Sequence, residues 1–171
     1  MTMEFEFFHG VVFAHLFHKL GVPVSVEGYP SADNASYVLN GKVGIYVKYS
    51  KKRLSPWSFS FLKRHQDEIL KLKNQFGEVI LLLVCNDDGI VALNFDEVRQ
   101  MLDEVHLEAE WIRVRRSKRK MYDLKGSDGA LDFKKGRDDM VEMIRTALDK
   151  PTQKPVRILS WLTRRDMVSD K

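Results

Sequence analysis

Seven consecutive apolar residues, Val79 to Cys85 in the stretch EVILLLVC, constrain this chain more than any other feature. A strand with one solvated face alternates apolar and polar residues, whereas a strand without alternation is covered on both faces. The run is far too short to cross a bilayer, so it predicts the centre of a sheet with a layer on each side. Asn86-Asp87-Asp88-Gly89 then turns the chain into IVALNF.

The flanking segments supply those layers. Glu4 to Leu20 carries Phe5, Phe8, Val12 and Leu16 at helical spacing and stops at Gly21 and Pro23, which predicts a helix that is apolar on most sides and largely buried. Val22 to Glu27 alternates as a short strand, and Ala35 to Tyr49 holds two β-rich runs separated by Asn40-Gly41, a strong hairpin signal. Ser55-Pro56 reads as the start of a helix with Leu62, Ile69, Leu72 and Phe76 on one face, ending at Gly77. Asn94 with Glu97 three residues on predicts a capped short helix through Leu102. Trp111 to Val114, Met121 to Leu124 and Ala130 to Phe133 read as further short strands. The expected architecture is one α/β domain over residues 1–150, with a mixed central β-sheet flanked by helices, and a C-terminal tail over 151–171.

At 171 residues, with 30% charged and 44% hydrophobic residues, the chain is long enough to bury a core without disulfides. Its opening, MTMEFEFFHGVV, is acidic where a signal peptide would be basic, and the one cysteine, Cys85, sits inside the apolar run. A cytoplasmic protein with no membrane segment is expected. The net charge is +4, and its distribution is more informative than its sum. Lys42 to Arg64 holds seven Lys or Arg and no acid, Arg113 to Lys120 holds six more, and Asp96 to Glu110 holds six acids against Arg99. Segregated charge of this kind steers a polyanion to one face.

The hairpin permits a geometric expectation. A two-residue turn at Asn40-Gly41 pairs Leu39 with Lys42 and, counted outward, sets Asp33 opposite Lys48. Such a pair is either a cross-strand charge pair or the acid and cation of a phosphodiester-cleaving site.

Helix, strand, hairpin with Asp33 on its first strand and GIYVKYS on its second, then a helix and a buried strand, resembles the PD-(D/E)XK restriction-endonuclease-like nuclease superfamily over residues 4–86. The resemblance implies a restriction-endonuclease-like core, Mg2+-dependent hydrolysis of nucleic-acid phosphodiesters, Asp33 as metal ligand and Lys48 as charge stabiliser. The second motif acid belongs two residues before the lysine, and that position is Tyr46. Either another element supplies the carboxylate, Glu27 being nearest in sequence with Glu4, Glu6 and Glu68 behind it, or the chain is an inactive nuclease-like module that binds nucleic acid or a protein partner. The sequence leaves a homo-oligomer open as well.

Lys51, Lys52 and Arg53, followed by Trp57 and Phe59, combine phosphate-neutralising cations with aromatics that either stack on bases or pack inward. Arg113, Arg115, Arg116 and Arg119 with Lys118 and Lys120 form a second basic segment whose charges repel without a counter-ion. His15 and His18 share a helix face and read as packed histidines rather than metal ligands. Phosphate-loop, dinucleotide and nucleophile-elbow motifs are absent.

Overall fold

The structure is a computed structural model that describes residues 3–105 and 108–151. In chain order the elements are α1 (Glu4–Lys19), β1 (Val26–Gly28), β2 (Ser36–Leu39), β3 (Val43–Ser50), β4 (Trp57–Phe61), α2 (Lys63–Phe76), β5 (Val79–Cys85), β6 (Ile90–Asn94), α3 (Phe95–Met101), β7 (Glu110–Arg115), β8 (Asp123–Gly126) and α4 (Asp139–Asp149). They form a mixed five-stranded sheet of order β1-β2-β3-β5-β6 and an antiparallel three-stranded sheet of order β4-β7-β8. The tail expected over 151–171 lies, from residue 152 onward, outside the described residues. Among the described residues no helix is long and apolar enough to cross a membrane.

Strand β5 is buried at all its positions, as its unbroken apolar sequence requires. Val79, Leu81, Leu83 and Cys85 point into a core shared with α2, α3 and the inner face of the three-stranded sheet. Ile80, Leu82 and Val84 point into a second core closed by α1 and α4. The five-stranded sheet is therefore the middle of three layers, and β3 runs parallel to β5 with Lys48 beside Leu83.

The hairpin turn forms where expected, but its register is displaced by one residue. Asn40 and Gly41 both take left-handed φ (51° and 62°), and Lys42 N–H donates to Leu39 O at 2.9 Å. Beyond the turn Leu39 pairs with Val43 rather than with Lys42, whose Nζ instead donates to Leu148 O at the end of α4. Burial explains the displacement. Leu39 now shares a face with Val43, Ile45 and Val47, all but solvent-free in the second core, while the other register would put it on the face of Lys42 and Lys48.

Other expectations need correction as well. Ser55-Pro56 does not open a helix: Trp57, Phe59 and Phe61 are buried and Ser58 and Ser60 exposed, a period of two that makes β4. Helix α1 is buried along one side only, through His9, Val12 and Leu16, and leaves Phe7, Val11 and Phe17 exposed; His15 is half-buried and His18 is exposed rather than packed. Ala130–Phe133 contributes only an isolated bridge, Ala130 to Lys125, and the expected strand Met121–Leu124 forms two residues later as β8. Helix α4, unforeseen, buries Met140, Val141, Ile144 and Ala147 at helical spacing.

Helix α2 crosses β3 closely at Gly44. A Cβ there would lie 2.9 Å from Leu72 Cβ. Gly44→Ala is expected to lower stability by about 1–3 kcal/mol through overpacking. Gly10, inside α1, has nothing within 4 Å of the point a Cβ would occupy, so Gly10→Ala should raise stability by about 0.5–1 kcal/mol. Urea unfolding of the two variants, with opposite shifts in midpoint, checks both.

Candidate functional site

Lys48 is carried on the same face of β3 as Gly44 and Tyr46, toward the first core, near the C-terminal end of the strand. Asp33 is not opposite it in the ladder. Strand β2 begins only at Ser36, Ala35 O already accepts from Val47 N–H, and Asp33 sits in the preceding turn, followed by Asn34 at a left-handed φ of 52°. The expected direct pairing of Asp33 with Lys48 is therefore not formed.

A residue to which no sequence motif points joins them. His65, in the first turn of α2 and nearly buried, presents Nε2 to Asp33 Oδ2 at 3.2 Å and Nδ1 to Lys48 Nζ at 3.2 Å. Its Nδ1 also accepts the Leu62 backbone N–H at 3.1 Å. An imidazole nitrogen that accepts two donors carries no proton, so the tautomer is assigned with the proton on Nε2, donated to Asp33. Burial first, then the Lys48 charge, lowers the His65 pKa, which keeps the ring neutral. The result is a chain of hydrogen bonds from the Lys48 ammonium through neutral His65 to the Asp33 carboxylate.

Lys48 itself is desolvated. Burial brings its pKa from 10.5 down to about 8, against the opposing pull of Asp33, and Arg64 adds to the lowering. The ring of Phe61, at the end of β4, lies with its centroid 5.0 Å from Nζ. Arg64 Nε donates to the same Asp33 Oδ2 at 3.2 Å, and that guanidinium is more than half exposed. The Asp33 carboxylate is thus set against two cations, Lys48 and Arg64.

The acids are distributed differently from the expectation. Glu27 on β1 pairs with Val38, which pairs with Gly44; it is exposed and about 13 Å along the sheet from Lys48 at ~3.3 Å per residue. The structure does not bring it to Asp33. Glu68, one turn along α2 from Arg64, comes nearer: it accepts from Ala32 N–H at 3.1 Å and Ser36 Oγ at 3.4 Å. Burial first, then Glu68 and Asp33, raise the Tyr46 pKa, so the side chain at the motif's acid position is a buried, un-ionised phenol. It offers no anionic oxygen to a cation. Asp33, His65 and Glu68 do not form a three-ligand group; among the described residues that arrangement occurs at Asp103, Glu110 and Asp128, whose ligand atoms lie within 4.8 Å of one another. Burial raises the Glu110 pKa to about 7, and Gln66 Nε2 donates to Glu110 Oε2.

The basic segments separate into exposed and engaged members. Lys51, Lys52 and Arg53 lie exposed between β3 and β4, with Lys51 Nζ 3.4 Å from Glu4 Oε2. Trp57 is 2% exposed and donates its Nε1–H to Lys52 O, so it packs inward, the alternative to base stacking that the sequence left open. Arg113, Arg115 and Arg119 are exposed. Arg116 is not available in the same way, because Asp88 takes its Nε and Nη2 at 2.8 and 2.6 Å, and Tyr122 Oη donates to Asp88 as well. A groove of about 610 Å3 between α1 and the β5–β6 turn, lined by Phe7, Phe8, Val11 and Ile90, lies on the opposite side of the sheet and contains none of the Lys48 group.

The sign of the Lys48 shift has a measurable consequence. A lysine whose folded pKa is about 8 and unfolded pKa 10.5 binds fewer protons when folded between those limits, so stability rises with pH across that window. Lys48→Met should remove the rise and raise stability at pH 7 by on the order of 1–3 kcal/mol, at 1.36 kcal/mol per pKa unit. Denaturant unfolding at pH 7 and pH 10 on both proteins checks this. Compared with protein-family models, curated proteins and solved structures, the chain matches none.

Proposed function

We propose that this chain is a nucleic-acid-binding module on a nuclease-like scaffold, which holds phosphates with Lys48 and Arg64 and does not cleave them with Mg2+. The observation that carries this reading is the engagement of Asp33. Its Oδ2 accepts from both His65 and Arg64, while the neighbouring acid position is the buried phenol of Tyr46. Mg2+ is commonly held by one or two carboxylates together with water and substrate oxygens. A carboxylate already paired with a guanidinium and an imidazole N–H, beside a desolvated lysine, is a poor donor set for such an ion. The same groups suit an anion. Lys48 is held in one direction by His65, Arg64 is exposed at the N-terminus of α2, and Lys51, Lys52 and Arg53 are exposed cations that follow Lys48 in the chain. The restriction-endonuclease-like likeness, the nucleic-acid partner and the lack of Mg2+ chemistry are all parts of this proposal.

The test is binding of a labelled 20-base-pair duplex by fluorescence anisotropy at several salt concentrations, with cleavage followed in 5 mM Mg2+. Lys48→Ala and Arg64→Ala should each weaken binding several-fold across sequences and reduce the salt slope by about 1. Intact duplex in Mg2+ is the expected outcome. Cleavage that disappears in both Asp33→Ala and Glu68→Ala would overturn the proposal in favour of hydrolysis, with Glu68 as the second carboxylate. A parent protein that binds no nucleic acid would overturn it altogether.

A further inference from the structure

The three-stranded sheet has one face in the core and one in solvent. Trp57, Phe59, Ile112, Val114 and Leu124 point inward. The outward face carries Ser58 and Ser60 from β4, Trp111, Arg113 and Arg115 from β7, and Lys125 from β8. The register sets Ser58, Arg113 and Lys125 side by side across the three strands, with Ser60 and Trp111 in the adjacent row. Asp123, beside Arg115, is the one acid among these outward positions of the three strands.

A solvated sheet face is ordinarily covered by mixed polar residues. This one departs from that in two ways. Its three cations stand against one acid, and it exposes part of a tryptophan. Arg113 lies with its guanidinium carbon 5.0 Å from the Trp111 ring centroid, and its Nε–H is taken by Ser58 Oγ at 3.3 Å. The arginine is thus anchored with its charge stacked on an indole at the middle strand of the sheet.

We infer that this outer face of β4, β7 and β8 binds single-stranded nucleic acid, with a base stacked at the Trp111–Arg113 pair and phosphates held by Arg115 and Lys125. The inference deepens the proposed nucleic-acid binding and rests on it. Charge complementarity selects a polyanion, and the aromatic selects one that presents flat, unpaired rings. In a duplex the bases are stacked on each other and reached only through grooves that admit a helix or a two-stranded ribbon. A three-stranded face is broader than the two-stranded ribbon the major groove admits, whereas it meets the splayed bases of a single strand with indole and guanidinium planes. Strand β4 also connects this face to the Lys48 group. It is preceded in the chain by Lys51, Lys52 and Arg53 and followed by Lys63 and Arg64, all of them exposed.

The experiment measures anisotropy of labelled 20-nucleotide single-stranded DNA and RNA, and of the 20-base-pair duplex, with the full chain. Trp111→Ala should weaken single-strand binding roughly 5- to 150-fold, the range for loss of one base–aromatic stack, and change duplex binding less than 2-fold. Trp111→Phe should recover most of the loss, which a merely unfolded variant would not allow. Equal weakening of single strand and duplex, or no weakening of either in a parent that binds both, overturns this inference while leaving the proposed function standing. Failure of the parent to bind any of the three probes overturns both. Polyglutamate bound as tightly as the single strands, with the same loss in Trp111→Ala, overturns the nucleic-acid assignment in favour of an acidic protein partner.

Discussion

The parallel pairing of β3 with β5 is the constraint on which the rest of this structure depends. Both strands are covered on both faces, so each sends alternate residues into two different cores. A parallel pair requires a crossover connection. Here that connection contains β4 and α2, and it passes over the face that carries Gly44, Tyr46 and Lys48. The close approach of α2 at Gly44 brings the first turn of the helix to the far end of β3, where His65 meets Lys48 and Arg64 meets Asp33. The position of the site is thus a by-product of how the crossover is packed.

The site's electrostatics follow from the same packing. Burial disfavours the charged forms of both Lys48 and His65, and the two respond differently. Lys48 remains cationic at neutral pH because Asp33 offsets part of its desolvation, while His65 stays neutral and relays a hydrogen bond between them. Asp33 therefore acts as a counter-charge and as the orienting end of a three-residue chain. The motif resemblance implies a metal ligand at Asp33 and a second acid at the position of Tyr46. The Tyr46 ring is buried in the first core and its hydroxyl remains protonated, so that position offers no anionic oxygen.

Much of the fold was legible. The α/β class, the buried central strand, the extent of α1 and α2 beyond Lys63, and the Asn94 capping box all follow from local pattern, because apolar periodicity and cap chemistry act over a few residues. The capping box is present with Asn94 Oδ1 accepting from Glu97 N–H at 2.9 Å. In SPWSFSF two local signals compete. The strict alternation of aromatic and serine is a strand signal, and it prevails over the helix-start signal of Ser-Pro. The hairpin register cannot be read from the turn alone. Asn40-Gly41 makes the expected turn, and the displacement arises because it seats Leu39 with Val43, Ile45 and Val47 in the second core, while Lys42 reaches the end of α4, more than a hundred residues away in sequence.

What the sequence determined by itself was the first helix, the hairpin turn, the buried central strand and the capped α3, the separation of charge into basic and acidic segments, and Lys48 as the cation closing an apolar strand. Those properties depend on neighbours in the chain. Which groups surround Lys48 was decided by the tertiary structure. His65, Arg64 and Glu68 come from a helix fifteen to twenty residues further on, and His65 and Arg64 meet Asp33, and Glu68 meets Ala32 and Ser36, only because α2 lies across β3. Likewise Arg113 and Arg116, three residues apart in one basic run, part company: β7 turns Arg113 to the outer sheet face, while Arg116, just beyond the strand, is drawn into the Asp88 pair. Alternation can be read from a sequence, but which face meets solvent is settled only when the layers pack.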